Sequence, residues 1–411
     1  MKNVLIFSNN AASISESNGR IHMTHFQRYL SEFKIHNFFV RGNPDLKEVK
    51  YLSVPYKTAI KSKLLFGLKK LSLEFNGVKN NSVNNSESIS KKSFHPFYHW
   101  ARNCIYFRNK SIKKALFEYI TDNKIDCLVL WGCNIPFLYR YVNIISKKLG
   151  TKHITITCED YPLKDYCYFK KQHSLFFRPF QKKLKKECTK CYLTSERNIY
   201  TNEDLKDLYE KCLNINNGET IYFGSDFKKT NNSDLKDIKN VFYGGNLYLE
   251  RIRSLAKVSE SLKDTDCNIN VYGHCSNEDL KIIKRMSNVK YHGLVSYEEN
   301  KKAMMNSDLL LFIEGFSKEY VKDCRYAFST KISDYLMTGK PLFFYGPESI
   351  SGIKFAKTIN NDFVSCDENK CDELKLIIKN KEYERLLCHF NTDLFDTVAV
   401  SNKIFNIIEE I

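Results

Sequence analysis

Residues 308–346 read DLLLFIEGFSKEYVKDCRYAFSTKISDYLMTGKPLFFYG. An apolar run stops at Glu314, and a second one, 342–345, follows a helix-like stretch that ends in Gly339, Lys340 and Pro341. Short unbroken apolar runs suit buried strands, and a Gly followed closely by Pro suits a helix end, so the stretch reads as strand, helix, strand. Ser329 and Thr330 stand where an N-cap and a first turn belong, and Lys331 follows. Free backbone N–H groups and a cation then face one way, which is an anion site. Asp334 lies one turn further on, within reach of whatever hangs from that anion. Glu314 ends the preceding strand at its carboxyl edge, where open α/β sheets take ligands. The stretch is read as a nucleotide-sugar site.

A chain of 411 residues suggests two domains of about 150–200 residues each. With 43% hydrophobic and 14% aromatic residues it can bury both cores. No window approaches the ~18 apolar residues of a membrane span, and the opening MKNVLIF is too short for a signal peptide, so a cytoplasmic protein is expected. The fourteen cysteines are scattered and read as reduced thiols, including the lone C-x-x-C at Cys188 and Cys191. A net charge of +17 implies an anionic partner: nucleic acid, phospholipid surface or phosphorylated substrate. The excess lies in the first half, where thirteen Lys or Arg face two Glu between positions 57 and 114.

The first half opens with a strand over 3–7, a polar turn holding Gly19, and a helix after it. A mobile Asn/Ser-rich insert is expected over about 77–94. Helix 109–122, strand 127–131, helix 136–148 and strand 153–158 alternate as in a parallel sheet. Glu159, Asp160 and Tyr161 follow that strand at its carboxyl edge, where a base for an acceptor hydroxyl could stand; Asp160 could equally cap the next segment. KDYCYFKKQHSLFFRPFQKKLKKECTKCY (164–192) interleaves aromatic with basic residues, as either a solvated basic helix or a surface for anionic lipid headgroups. A strand at 191–194, a helix at 202–213 and a strand at 220–223 complete the half. A polar linker leads to six strands in the second half, the first of them NVFYGG with Gly244 and Gly245 at its edge. An amphipathic stretch, 391–411, closes the chain.

YGGNLYLERIRSL (243–255) and FSTKISDYLMTGKPLFFYGP (328–347) make the second half resemble the donor domain of family 4 glycosyltransferases, particularly the bacterial ones that build capsular and exopolysaccharides. The resemblance implies an α/β protein of the GT-B architecture: two doubly wound Rossmann-like domains with a cleft between them and a C-terminal crossing helix. The corresponding segments are a basic, membrane-facing acceptor domain (1–225), a linker (226–239), a donor domain (240–390) and the crossing helix (391–411). In the family an Arg and, five positions on, a Lys hold the diphosphate; Asn246 and Arg251 occupy those positions here. Two family glutamates correspond to Glu314 and Asp334, which are separated by nineteen residues rather than seven. The resemblance implies Glu314 near the transferred sugar, Asp334 on the ribose hydroxyls, and backbone groups of Leu294 and Val295 after Gly293 reading the base. Asn18 and Gly19 would form the first-domain loop that faces the diphosphate.

The expected reaction moves a sugar from a nucleoside-diphosphate sugar to a hydroxyl of a glycan or polyprenyl-diphosphate-linked acceptor at the inner face of the cell membrane. Arg251, Lys331 and helix N–H groups would take up the leaving group's charge. Glu314 and Asp160 are the candidate catalytic residues. No cofactor is expected, and no metal, because no D-x-D is placed to hold one near the donor. By analogy the reaction retains anomeric configuration. A sugar-nucleotide epimerase of the same fold is the alternative; a nucleic-acid-binding protein rests on charge alone, and no nucleic acid is expected.

Overall fold

The computed structural model describes residues 1–14, 16–26, 32–64, 71–73, 96–169, 175–229, 237–248 and 250–411, without the side chains of 17, 18 and 23. The insert expected over 77–94 lies outside the described residues. Two compact units are present, residues 1–223 with 397–411, and residues 224–396.

The first unit contains β1 (Asn3–Asn10), α1 (Ser17–Phe26), β2 (Lys34–Arg41), β3 (Lys50–Leu52), α2 (Tyr56–Leu64), α3 (Pro96–Phe107), α4 (Lys110–Asp122), β4 (Cys127–Trp131), α5 (Pro136–Leu149), β5 (Lys152–Thr157), α6 (Phe177–Leu193), β6 (Arg197–Tyr200), α7 (Glu203–Leu213) and β7 (Gly218–Thr220). In the second are β8 (Asn240–Gly244), α8 (Arg251–Ser261), β9 (Asn268–Tyr272), α9 (Asn277–Ile283), β10 (Val289–Gly293), α10 (Tyr297–Met305), β11 (Leu309–Ile313), α11 (Lys318–Cys324), α12 (Thr330–Thr338), β12 (Leu342–Tyr345), α13 (Ser351–Ile359), β13 (Val364–Ser365) and α14 (Asp372–Lys379). The chain ends in α15 (Thr397–Glu410), which groups with the first unit.

All strand pairings are parallel, in the orders β3-β2-β1-β4-β5-β6-β7 and β10-β9-β8-β11-β12-β13. Each order reverses direction at its centre, between β1 and β4 and between β8 and β11. These are the switch points outside whose carboxyl ends doubly wound sheets bind ligands. The central strands read as unbroken apolar runs because helices cover both faces: CLVLW in β4 and LLLFI in β11 are buried along their whole length.

Local chemistry sets the helix ends. Asn109 and Asn202 cap α4 and α7 by accepting the N–H groups of Ile112 and Leu205. In α12, Ser329 is the N-cap and Gly339 takes the left-handed conformation at the end, with Pro341 beyond it. At the chain's end, Lys2 Nζ donates to the carbonyls of Ile408 and Glu409 at 2.8 and 2.9 Å, where the last turn of α15 leaves acceptors unmatched.

Several expectations are corrected. Residues 191–194 are not a strand but the end of α6, whose buried Leu184, Cys188, Cys191 and Tyr192 continue a helical stripe. The strand expected at 220–223 is instead Gly218–Thr220. Gly19 does not precede α1 but lies in its first turn, where a Cβ would stand 2.5 Å from the Ala11 carbonyl oxygen. The last helix begins at 397 rather than 391, because the buried Phe395 packs on Phe328 and Phe355 and accepts from Ser225 N, all within the second unit. The additional residues between Glu314 and Asp334 include α11, which Ser317 caps by accepting the Tyr320 N–H. All fourteen cysteines are free thiols. Among the described residues no helix is long and apolar enough to cross a membrane.

Candidate functional site

In the second unit, β8, β9 and β10 end in Gly244, Tyr272 and Gly293, and the chain turns over a row of glycines. Gly245 N donates to the Tyr272 carbonyl at 2.7 Å, and Gly273 N to the Gly293 carbonyl at 2.8 Å. Gly273 has φ +139°, and a Cβ there would lie 2.2 Å from the Gly245 carbonyl oxygen. Gly273→Ala is therefore expected to destabilise the protein by at least about 2 kcal/mol, from backbone strain and a clash no rotamer relieves, as read from the urea midpoint. Gly245 has φ +147°, and a Cβ on it would stand 2.5 Å from Lys331 Nζ. Glycine thus leaves the ammonium group room beside the backbone.

Around that ammonium the charges converge. Arg251, the first residue of α8, directs Nε and Nη2 at Glu314 Oε2, each at 2.8 Å. The Tyr320 hydroxyl, carried in by α11, donates to the same oxygen. Glu314 prolongs β11, its N–H donating to the Tyr345 carbonyl, and its own carbonyl accepts from Ser254 Oγ at 2.6 Å. Burial opposes the charge of Arg251, but Glu314 and the hydroxyls of Tyr243 and Tyr320 hold its pKa above the ordinary range. Burial, and then Glu314, push the Tyr320 phenol up. Tyr320→Phe removes one donor to a buried carboxylate and is expected to cost about 1.5–3 kcal/mol of stability, measured by chemical denaturation.

Lys331 is half-buried as a residue, but its ammonium end lies 5.3 Å from the ring centroids of both Tyr243 and Phe312. Burial, then the neighbouring Arg251 charge, lower its pKa to about 7, with Glu314 opposing. The Tyr335 hydroxyl, one turn along α12, accepts from the Gly244 N–H at 3.0 Å and ties this helix to the end of β8.

The sequence-predicted residues therefore divide. Gly245, Arg251, Glu314 and Lys331 meet at the β8/β11 switch point, with Gly244 ending β8 and Ser329 and Thr330 opening α12 just before Lys331. Asn246 turns aside: its Oδ1 accepts from His274 N at 3.2 Å, joining two loops. Gly293, Leu294 and Val295 lie at the end of the edge strand β10, about 10 Å away at two strand spacings, with Leu294 exposed. Asp334 Oδ1 accepts from Ser225 Oγ at 2.7 Å. The D-T-D at 264–266 precedes β9, at the opposite edge of the sheet, and its Asp264 pairs with Lys375 at 3.0 Å. Tyr320, Tyr243, Gly273 and Ser225 are additions that sequence reasoning missed. Tyr320 carried a local signal, three residues after the cap Ser317.

In the first unit the Asn18 side chain lies outside the described residues. Asp160 is buried and paired with Lys164 at 3.2 Å, and it occupies the cap position of a short 3-10 turn (Tyr161–Leu163). Glu159 beside it is half-buried. Burial raises its carboxyl to about 7, against the pull of Lys164 and with the help of Asp160. A carboxyl near neutrality is in the range that proton transfer uses, and Glu159 stands beside Asp160 just past the end of β5. Sequence reasoning also missed two buried histidines of α1 that pack against Trp131, where β4 ends: His22 and His25, lowered to about 3 and 4, by burial first.

No family model matches the chain, and no curated protein matches it. Solved structures do. The HepE protein of Anabaena in complex with UDP superposes with a TM-score of 0.61 at 11% identity, over 100% of each chain. A glycosyltransferase from Rickettsia africae gives 0.57 at 12% identity over 100% of this chain and 98% of that one. A UDP-GlcNAc 2-epimerase from Neisseria meningitidis, bound to UDP-GlcNAc, gives 0.53 at 12% identity over 100% of both. At such identities the likeness defines architecture alone: this chain has an α/β fold of the GT-B class, with two doubly wound parallel sheets of seven and six strands.

Proposed function

We propose that the protein is a glycosyltransferase that moves a sugar from a nucleoside-diphosphate sugar to a hydroxyl of a glycan or polyprenyl-diphosphate-linked acceptor. The observation that carries this reading is the meeting of Arg251, Lys331 and the glycine-lined carboxyl edge at the β8/β11 switch point. Two cations beside backbone that lacks side chains suit a diphosphate, and the N-terminus of α12 adds N–H groups. Of the Arg251 guanidinium, Nε and Nη2 are held by Glu314, while Nη1 has a long 3.4 Å contact to the Asn246 carbonyl and is the donor best able to turn to a phosphate oxygen. Catalysis then comes mainly from stabilising the departing diphosphate, with no metal or cofactor needed. Asp334 would receive the ribose hydroxyls, exchanging its hydrogen bond from Ser225 for theirs.

UDP in the HepE structure supports a nucleotide donor of this kind. The resemblance of 243–255 and 328–347 to family 4 enzymes supports the finer reading: bacterial surface-polysaccharide synthesis on the cytoplasmic side of the membrane, with retention of configuration by analogy. The test begins with thermal shifts in UDP, GDP and their sugars. Release of nucleoside diphosphate should then follow only when an acceptor is added. Interconversion of the free sugar nucleotide without acceptor would make the protein an epimerase instead, and a failure of every nucleotide to stabilise it would end both readings.

A further inference from the structure

The first unit carries two neighbouring arginines that no carboxylate answers. Arg41 is the last residue of β2, and Arg102 lies on α3. Among the described residues neither has an ion-pair partner. Arg41 meets neutral amides: its Nε donates to Asn10 Oδ1 at 2.9 Å, and its Nη2 faces the Asn9 side chain. Arg102 is half-buried, with its Cζ 5.8 Å from the centroid of the Tyr98 ring. Burial lowers its pKa; the Tyr98 hydroxyl opposes this, Arg41 adds to it, and Tyr106 and Cys133 oppose it more weakly. A guanidinium held partly out of water beside a second one is costly until an anion joins them.

Their place in the fold says what kind of anion. Arg41 ends β2 and Cys133 follows β4, so the arginines stand at the carboxyl edge of the first sheet, beside the β1/β4 switch point. Tyr98 and Tyr56, both half-buried with ring centroids 6.3 Å apart, stand next to Arg102. Aromatic faces with a few placed polar groups are the usual lining of a site for a small organic molecule. A tyrosine ring offers a flat apolar face to the C–H side of a sugar, and a guanidinium fork takes two oxygens of a carboxylate or phosphate. One strand over from β4, roughly 5 Å away by strand spacing, β5 ends at Thr157. An acidic sugar held by the arginines therefore lies on the same edge as Glu159, the carboxyl near neutrality.

We propose that Arg102 and Arg41 form a subsite for the acid group, carboxylate or phosphate, of a charged sugar, with Tyr98 and Tyr56 against its ring. That this sugar is the acceptor rests on the glycosyltransferase reading; the subsite itself does not.

The test is calorimetric titration of the full chain, without nucleotide, with methyl glucoside, methyl glucuronide, methyl glucoside 6-phosphate and inorganic pyrophosphate. The glucuronide, the sugar phosphate or both are expected to bind at least about tenfold more tightly than the neutral glucoside, and which of them binds tells carboxylate from phosphate. Arg102→Met should remove that difference. Because Arg102 has no ion pair to lose, R102M should also melt no lower than the wild type, whereas a structural arginine would lower the midpoint. Arg41→Met, a change at an exposed residue, should weaken the same binding and carries the test if R102M does not fold. Equal binding of neutral and acidic sugars, binding of none of them, or an unchanged preference in both variants overturns the proposal. So does pyrophosphate that binds through Arg102 as tightly as any sugar acid. Thermal shifts with UDP judge the donor site separately: a protein that takes the acidic sugar but no nucleotide keeps the subsite and loses the glycosyltransferase reading, and the reverse result loses the subsite alone.

Discussion

Arg251→Ala is expected to lower kcat/KM for sugar transfer by about 10²–10³, the usual loss when a group that stabilises developing negative charge is removed. The structure adds a second effect that local sequence does not reveal. Glu314 would lose both guanidinium contacts while remaining buried, and an uncompensated buried carboxylate typically costs about 3–5 kcal/mol. Activity and stability must therefore be separated. The double variant R251A/E314Q should recover much of the stability, because neither charge is then left buried alone, yet regain none of the lost turnover. Arg251→Lys keeps the charge but not the two-pronged geometry, and should fall between wild type and alanine. Steady-state kinetics beside urea denaturation read both effects. Wild-type turnover in R251A would remove this arginine from the chemistry.

The second large effect is a proton. Free Lys331 has its pKa lowered from 10.5 to about 7 by burial and by Arg251, so above neutrality it is largely uncharged. A diphosphate beside it favours the ammonium form, hence binding at pH 8 should take up close to one proton. Affinity for UDP should fall as pH rises above about 7, by up to tenfold per unit, until the pKa of the bound state is reached. The nucleotide does not mask this, since a phosphate's second proton is lost near pH 6. Calorimetric titration in buffers of different ionisation enthalpy measures the uptake directly. Lys331→Met should abolish it and weaken UDP binding by about 10- to 150-fold, the worth of a hydrogen bond to a charged group. The sign for stability is opposite to that for binding. Between about pH 7 and 10.5 the unfolded chain holds a proton that the native protein lacks, so this group makes the free protein more stable as pH rises through that window. Below pH 7 the cost of keeping the ammonium among the rings is felt in full.

The elements legible in the sequence were those with strong local marks. Helix α4 is expected at 109–122 and found at Lys110–Asp122, where Asn109 caps its start by accepting the Ile112 N–H. Strand β4 is expected and found at Cys127–Trp131, an apolar run with helices on either side. Where apolar residues sat at the end of a basic helix, as at 191–194, the local run looked like a strand, and the helical stripe of α6 overrode it. The candidate site divided in the same way. The cap and terminal glycine of α12 were readable, whereas the hydrogen bond by which Asn246 joins its loop to that of His274 was not.

The sequence by itself determined the alternation of strand and helix, the capped start of α12 and the glycine at the end of β8, because periodicity, capping and turn chemistry act within a few residues. The tertiary structure alone decided which charges face one another. Arg251 and Glu314 are 63 positions apart and meet only because β8 and β11 are neighbours at the centre of the sheet. Lys331 carries its ordinary pKa in an extended chain. Its shift to about 7 exists only once the fold takes water away from the ammonium and sets Arg251 beside it. Desolvation and long-range pairing are properties of the packed molecule, and no reading of neighbouring residues contains them.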